Sequence, residues 1–279
     1  MRKTPYEEIH ELLMDSLPAE ILDMIPRKWE KIGSICILRY EDALDRYSSI
    51  IGKVYAEVLG CKSVLRDYGG ITGELRIPQV KLIYGDVCTK TVHKENGIEF
   101  VIDPAKVMFS SGNLDERKRM STIAGSDEVV VDLFAGIGYF SIPMAVYSKP
   151  KRMYSCEINP VAYKFLCQNI RRNNVVDMVE TRCGDSLKVA PEDVADRVLM
   201  GYVGDTHRFF LKALHCLRKL RGIVHFHDTF PDARIPDQPI QNLKKICDLV
   251  NRELQVLEYH RVKSFAPGIS HYVFDIRVE

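Results

Sequence analysis

The chain has 279 residues, 46% of them hydrophobic and 28% charged, which fits one large globular domain or two unequal ones and excludes disordered, collagen-like and small disulfide-stapled classes. Its 39 Lys and Arg against 38 Asp and Glu leave a formal charge of +1, so no global pull toward nucleic acid or membrane exists and any nucleic-acid site must be a local patch. No apolar run reaches the ~18 residues that span a bilayer, and the start Met1-Arg2-Lys3-Thr4-Pro5-Tyr6-Glu7-Glu8 lacks the apolar stretch of a secretion signal; a cytoplasmic location is expected.

From residue 6 to 25, Ile9, Leu12, Leu13, Leu17, Ile21, Leu22 and Ile25 recur at helical spacing, broken at Pro18 and stopped by Pro26, which predicts two short amphipathic helices. Between Trp29 and Phe109 short apolar runs (34–38, 79–84, 98–102) alternate with Asp67-Tyr68-Gly69-Gly70, Gly85-Asp86 and Glu95-Asn96-Gly97, as expected of strands and turns. The Asn-Gly pair predicts a hairpin joining 90–94 to 98–102. Only 47–59 reads as a good helix here, with Ile50, Ile51, Val54 and Val58 on one face.

After Leu114 the pattern alternates. Strands are expected at 129–133, 152–156, 179–183, 197–202 and 222–227, with helices at 115–122, 138–148, 160–173, 206–219 and 240–254, then strands at 255–262 and 271–278. Such alternation means a parallel sheet with crossover helices, and the final hairpin implies one edge strand antiparallel to the rest. The eight cysteines are never closer than eleven residues and contain no CxxC pair, so they read as reduced, buried small hydrophobes, and no metal site is expected.

The strongest signal is Val129-Val130-Val131-Asp132-Leu133-Phe134-Ala135-Gly136-Ile137-Gly138-Tyr139-Phe140-Ser141. A buried strand ends in a glycine turn and enters a helix, bringing bare backbone close to a ligand at the carboxyl edge of the sheet. A nicotinamide fingerprint wants a third glycine where Ser141 stands, and Asp132 at the mouth of the turn would repel pyrophosphate while suiting a cationic or hydroxyl-rich ligand. Glu157 follows Gly136 by twenty-one residues in Tyr154-Ser155-Cys156-Glu157-Ile158-Asn159-Pro160, where an acid can accept both ribose hydroxyls. Asp185, in Cys183-Gly184-Asp185-Ser186, ends the third strand and can accept from an adenine amino group. Each acid alone could be a helix cap; three at consecutive strand ends point to a nucleoside pocket.

With these residues the chain from about Asp115 onward resembles the class I S-adenosylmethionine-dependent transferases, which implies an α/β, Rossmann-like seven-stranded sheet preceded by a smaller α+β domain. The division expected is 1–26 for the N-terminal helices, 27–109 for the α+β domain and 110–279 for the S-adenosylmethionine-binding domain. The segment Leu199-Met200-Gly201-Tyr202-Val203-Gly204-Asp205-Thr206-His207 offers no Asn-Pro amide acceptor of the kind amino methyltransferases carry there. Displacement at the γ-carbon of the methionine chain, transferring the aminocarboxypropyl group, is therefore open beside methyl transfer.

More closely, Ile25-Pro26-Arg27-Lys28-Trp29, Tyr55 to Gly60, Thr91 to Ile98, Met108-Phe109-Ser110, Glu116-Arg117, Met200 to Val203 with Thr206-His207, and Ala266-Pro267-Gly268 resemble the archaeal branch of the wybutosine-pathway tRNA aminocarboxypropyltransferases, sisters of the tRNA guanine-37 N1-methyltransferases. The resemblance implies a tRNA partner, at the anticodon-loop region of phenylalanine tRNA. It implies cofactor contacts at Ser110, Arg117, Asp132, Phe134, Gly136, Glu157, Ile158, Asp185 and Ser186, with Arg117 positioning the methionine carboxylate. An extra N-terminal domain of a longer sister architecture has no counterpart here. No catalytic base is assigned; His207 is a candidate for substrate contact, and so are His227 and Asp228 at the cleft edge of their strand. His225 and His227 on one strand face are too few for a metal site. Arg117-Lys118-Arg119, 149–152, Arg171-Arg172 and 218–221 are the basic patches; charge runs are usually solvated faces, and only their convergence on the cleft rim would make an RNA surface. Methyl transfer to the same nucleotide, a noncatalytic nucleoside binder and a dehydrogenase are the competing readings.

Overall fold

In the computed structural model, which describes residues 3–279, the chain divides into two units, Met1–Ser111 and Gly112–Glu279. The first begins with α1 (Pro5–Leu13), started by a capping box in which Thr4 accepts from the Glu7 amide and the Glu7 carboxylate accepts from the Thr4 amide. Together with α2 (Ala19–Leu22) it turns Ile9, Leu13, Leu17, Ile21, Leu22 and Ile25 into one core shared with Cys36, Leu38, Ile51, Tyr55 and Val64. The N-terminal helices thus pack into the same core as the elements that follow them. These are β1 (Trp29–Ile32), β2 (Ile35–Arg39), α3 (Ser48–Leu59), β3 (Ser63–Thr72) and β4 (Ile77–Gly85), whose strands form a sheet in chain order. Gly60 ends α3 at φ +60°, a left-handed cap that glycine adopts without strain. The hairpin of β5 (Thr91–Glu95) and β6 (Ile98–Ile102) forms around Asn96 and Gly97, both at positive φ, as the Asn-Gly pair predicts.

Residues 67–70 correct the sequence reading. They do not separate two segments: β3 runs straight through them, with a bulge between Asp67 and Gly70. The Asp67 carboxylate accepts from the amides of Gly69 and Gly70 at 3.2 and 2.7 Å, which supplies the partners the sheet cannot give there.

The second unit opens with α4 (Leu114–Met120) and then builds β7 (Val129–Asp132), α5 (Ser141–Tyr147), β8 (Arg152–Glu157), α6 (Pro160–Arg172), β9 (Val179–Cys183), α7 (Ser186–Val189), β10 (Arg197–Met200), α8 (Phe210–Cys216), β11 (Gly222–Pro231), α9 (Asp237–Asp248), β12 (Leu254–Ala266) and β13 (Ile269–Val278). Its seven-stranded sheet has the order β12-β13-β11-β10-β7-β8-β9. Strands β9, β8, β7, β10 and β11 are mutually parallel. The order reverses between β7 and β10, so the ligand crevice of such a sheet opens at the carboxyl ends of those two strands.

The antiparallel strand is not at the edge. β13 runs against both β11 and β12, and β12 is the outer strand. The burial pattern gives the reason: β13 is buried along nearly its whole length, whereas β12 is largely exposed or half-buried, so the apolar strand takes the inner place. Helix α9 starts at Asp237, three residues before the expected 240, because Pro239 is tolerated in a first turn where its missing N–H has no partner to lose. The stretch 206–219 is a 3-10 turn (Thr206–Phe209) followed by the short α8, not one helix. Cys88 and Cys183 are exposed, against the expectation of burial, because both lie where strands give way to loops; Cys36, Cys156, Cys216 and Cys247 are buried. Among the described residues no helix is long and apolar enough to cross a membrane.

Candidate functional site

The carboxyl ends of β7 and β8 are tied together through the glycine turn. Gly136 (φ +58°) and Gly138 (φ +103°) adopt backbone that side chains rarely permit, and a Cβ on Gly138 would lie 2.3 Å from Ile142. The backbone is therefore bare at this point. Glu157, at the end of β8, is buried; its Oε2 accepts from the Gly136 amide at 2.7 Å and its Oε1 from the Asn159 amide at 2.7 Å. Burial raises its pKa, against the pull of those amides. Ile158 is half-buried beside it, and Asn159 caps α6 by accepting from Val161 and Ala162.

Asp132 does not face the crevice as the sequence reading expected. It is 0% exposed; Oδ1 accepts from the Phe134 amide at 3.1 Å and Oδ2 from the Ser141 hydroxyl at 2.6 Å, with Ser155 donating in turn to Ser141. Burial pushes its pKa up to about 6. As the last residue of β7 it turns its side chain onto the Phe134 amide and the Ser141 hydroxyl, so it holds the glycine loop in place. Asp185 caps α7, accepting from the Leu187 amide at 3.0 Å, and stays half-buried, with Ser186 buried next to it. Each oxygen accepting one such hydrogen bond keeps a further lone pair for a ligand donor.

Across the crevice, Phe134 stacks on Tyr202 (centroids 5.0 Å apart) and meets Phe209 edge-on (4.9 Å). The loop carrying Tyr202 is clamped by Asp228, whose Oδ1 accepts from Gly204 and Thr229 and whose Oδ2 accepts from Thr206 at 3.0 Å. Asp228 thus spends its carboxylate on backbone amides, a framework role in place of the expected substrate contact, and His227, expected to share that contact, is buried at 1% exposure. A Cβ on Gly201 would stand 2.5 Å from the Phe140 ring, so glycine alone fits there. His207 is exposed on the same loop.

Arg117, in α4, is 2% exposed although it sits in a run of charges. Its guanidinium lies near enough to Tyr139 of the glycine turn to oppose the effect of burial on that hydroxyl. Behind it runs a chain of ion pairs. Glu116 accepts two bonds from Arg119 (2.8 and 3.0 Å) and one shared with His260 (2.9 Å). Arg119 reaches Asp275 at 2.6 Å, Asp275 pairs with His225 at 2.6 Å, His225 meets Arg197 at 2.6 Å, and Arg197 grips Glu128 with two bonds. Burial would raise the Glu116 carboxyl, but His260 and Arg119 bring it down to about 2; the same balance holds Asp275 far below the usual carboxylate range. His227 packs against Phe140 and His271, and burial lowers these two imidazoles to about 3 and 4. His225 and His227 therefore point to different partners, and among the described residues no cluster of three or more His, Cys, Asp or Glu is arranged to hold a metal ion.

Ser110 lies in the first unit, half-buried, outside the geometry described for the second. The basic patches do not converge. Residues 149–152 precede β8, Arg171-Arg172 precede β9 and 218–221 precede β11, so all three lie toward the amino edge of the sheet, opposite the acids. Arg152 is moreover paired with Glu180, and Arg218 with the Val194 carbonyl and Asp196.

A parallel sheet with this switch point, a glycine turn after its first strand and acids at the next two strand ends is the architecture of the class I S-adenosylmethionine-dependent transferases. The chain belongs to the TRM5/TYW2 family: the family model described as the TRM5/TYW2 methyltransferase domain matches residues 91–257, and that of the TYW2 N-terminal domain matches residues 9–89. A relative from Pyrococcus horikoshii, named tRNA(Phe) (4-demethylwyosine(37)-C(7)) aminocarboxypropyltransferase, is 43% identical over 270 residues, covering 97% of this chain and 96% of that protein. The crystal structure of P. horikoshii TYW2 in complex with MeSAdo superposes with a TM-score of 0.87 at 40% identity, covering 98% of both chains. That of M. jannaschii TYW2 in complex with AdoMet gives 0.75 at 39%, covering 90% of this chain and 99% of that one.

Proposed function

We propose that this protein transfers the 3-amino-3-carboxypropyl group of S-adenosylmethionine to C7 of 4-demethylwyosine at position 37 of tRNA(Phe), releasing methylthioadenosine, and that it acts in the cytoplasm as an archaeal member of the wybutosine pathway. The observation that carries this reading is the near full-length match to a relative of that name, joined to the segment after β10, where Gly201 is seated against Phe140 and no Asn-Pro amide acceptor exists.

The residues fit S-adenosylmethionine. The glycine turn exposes backbone where a Cβ would clash, and Glu157 and Asp185 keep lone pairs for ribose hydroxyls and the adenine amino group. We assign Glu157 to the ribose, Asp185 and Ser186 to adenine, Gly136, Phe134 and Ile158 to the walls, and Arg117 to the methionine carboxylate, with Ser110 carried over by resemblance alone. The sulfonium supplies three electrophilic carbons, and which one reacts is decided by orientation. Arg117 is buried on α4, the helix that Glu116 and Arg119 tie to β13 through Asp275; a guanidinium placed so presents its fork to a carboxylate and aligns the γ-carbon with the acceptor. Phe134, Tyr202 and Phe209 offer an apolar aromatic wall suited to a flat tricyclic base. Asp228 keeps that wall's loop in place.

The test is to supply S-adenosylmethionine labelled separately in the methyl and carboxyl carbons with precursor tRNA. Carboxyl label in tRNA with methylthioadenosine as by-product is expected. Methyl label in tRNA with S-adenosylhomocysteine would overturn the reading in favour of methyl transfer.

A further inference from the structure

With three basic patches directed to the amino edge of the sheet, the RNA surface beside the crevice must be built otherwise. The outer hairpin of the sheet has the required properties. Residues Tyr259 to Phe274 contain Arg261 and Lys263 and no Asp or Glu. They form the end of β12, the tip at Pro267-Gly268 and most of β13. Pro231, the last residue of β11, pairs with Ile269 at the tip, whereas His225 of β11 stands level with Asp132 through Leu199. Six strand residues separate the two levels, so the hairpin extends about 20 Å past the end of β7 on the carboxyl side of the sheet.

Phe265, next to the tip, is 62% exposed. Arg261 is exposed too, yet oriented: its Nε donates to the Oγ of Ser270 at 2.7 Å, and Ser270 is fully buried. Its two terminal guanidinium nitrogens have no partner among the described residues, so a pre-set pair of donors faces outward, a geometry that matches a phosphate. An exposed aromatic four residues along the strand from an anchored arginine, with no Asp or Glu in the segment, fits single-stranded nucleic acid, whose bases stack on rings and whose phosphates pair with cations. A second copy of the chain adding to the β12 edge is disfavoured by the strand itself. Register shifts at 256–258, 261–263 and 264–266 interrupt its row of hydrogen-bonding groups.

We propose that the β12–β13 tip is an RNA-contacting corner in which Phe265 stacks on an unpaired nucleotide of the tRNA away from the acceptor and Arg261 holds a phosphate. This rests on the reading of tRNA as substrate, and names the surface that grips it.

The experiment measures binding of in vitro transcribed tRNA(Phe) to the full-length protein by fluorescence anisotropy at several salt concentrations, with S-adenosylmethionine affinity by calorimetry alongside. Phe265→Ala is expected to weaken tRNA binding about ten-fold, and Phe265→Tyr to restore it, because stacking needs a ring and not a particular one. Arg261→Ala is expected to lower the salt-dependence slope by about 1. Cofactor affinity should be unchanged in all three and melting temperature in the two Phe265 variants, since that side chain is exposed; Arg261→Ala also takes the partner from the buried Ser270 hydroxyl and is expected to lower melting temperature slightly. Equal tRNA affinity in wild type and Phe265→Ala overturns the corner, as does a change in oligomeric state without loss of RNA binding. If the wild type itself fails to bind tRNA, the substrate reading has failed, an outcome distinct from the variants matching a wild type that binds.

Discussion

Buried carboxylates occur on both sides of the switch point, and the two sides satisfy them differently. Under β7 and β8, Asp132 and Glu157 accept only from amides and hydroxyls, and burial raises both pKa values. Beneath β11 and β13, Glu116 and Asp275 both pair with the Arg119 guanidinium, each with a histidine nitrogen as a further hydrogen-bond partner, and titrate well below the usual range. An acid matched by cations is a closed ion pair, a strut that fixes α4 against the sheet. An acid matched by amides alone keeps its negative charge uncancelled and its spare lone pairs open, which suits a hydroxyl-bearing ligand.

The largest expected effect breaks the amide-satisfied side. Glu157→Ala removes two backbone anchors and the ribose acceptor together, at roughly 1.5–3 kcal/mol for each bond to a charged group, and calorimetry should show S-adenosylmethionine affinity reduced by about a hundred-fold or more. Undiminished affinity would mean the pocket lies elsewhere. On the cation-matched side, Asp275→Ala leaves the half-buried Arg119 with Glu116 as its remaining counter-charge and takes the hydrogen-bond partner from the buried His225. Urea titration should show a loss of about 1.5–3 kcal/mol, the scale of a hydrogen bond to a charged group, and a loss below about 1 would show that the chain is not a strut.

A smaller effect is expected where the two sides meet. Gly201→Ala drives a methyl group into the Phe140 ring, at a cost of about 1–3 kcal/mol. Turnover should fall roughly ten-fold or more while cofactor affinity stays the same; a parallel fall in both would assign Gly201 to the cofactor pocket instead.

The smallest effect is one of pH. His271 titrates at about 4 in the folded chain against an ordinary value of 6.5. Between those values the unfolded chain binds a proton that the native one refuses, so stability falls as pH drops from 6.5 to 4. His271→Gln should remove roughly 1 kcal/mol per pH unit of that slope in denaturant melts compared at pH 7 and pH 5; an unchanged slope would place the titration on another group.

What could be read from the sequence was local. The strand, glycine turn and helix at 129–147 are encoded within a few consecutive residues, and Glu157 and Asp185 follow because each ends the next strand in line. Asp228 and Asp275 escaped because their partners are distant in sequence: Asp228 serves amides 22 and 24 residues away, and Asp275 meets an arginine 156 residues away. The inner place of β13 was likewise hidden, since alternating strand and turn signals say that a hairpin forms but not which arm faces the sheet.

By itself, the sequence determined the parallel α/β pattern, the nucleoside-type crevice and the acids at its strand ends, because these depend on periodicity and on spacing inside single β–turn–α units. Tertiary structure alone decided that Asp132 supports the turn instead of facing the crevice, that Arg117 is buried while its neighbours Glu116 and Arg119 join a chain of ion pairs, and that three of the basic runs lie on the far edge. Those outcomes depend on which side chains distant segments bring together, and burial and charge pairing act on that proximity rather than on neighbours along the chain.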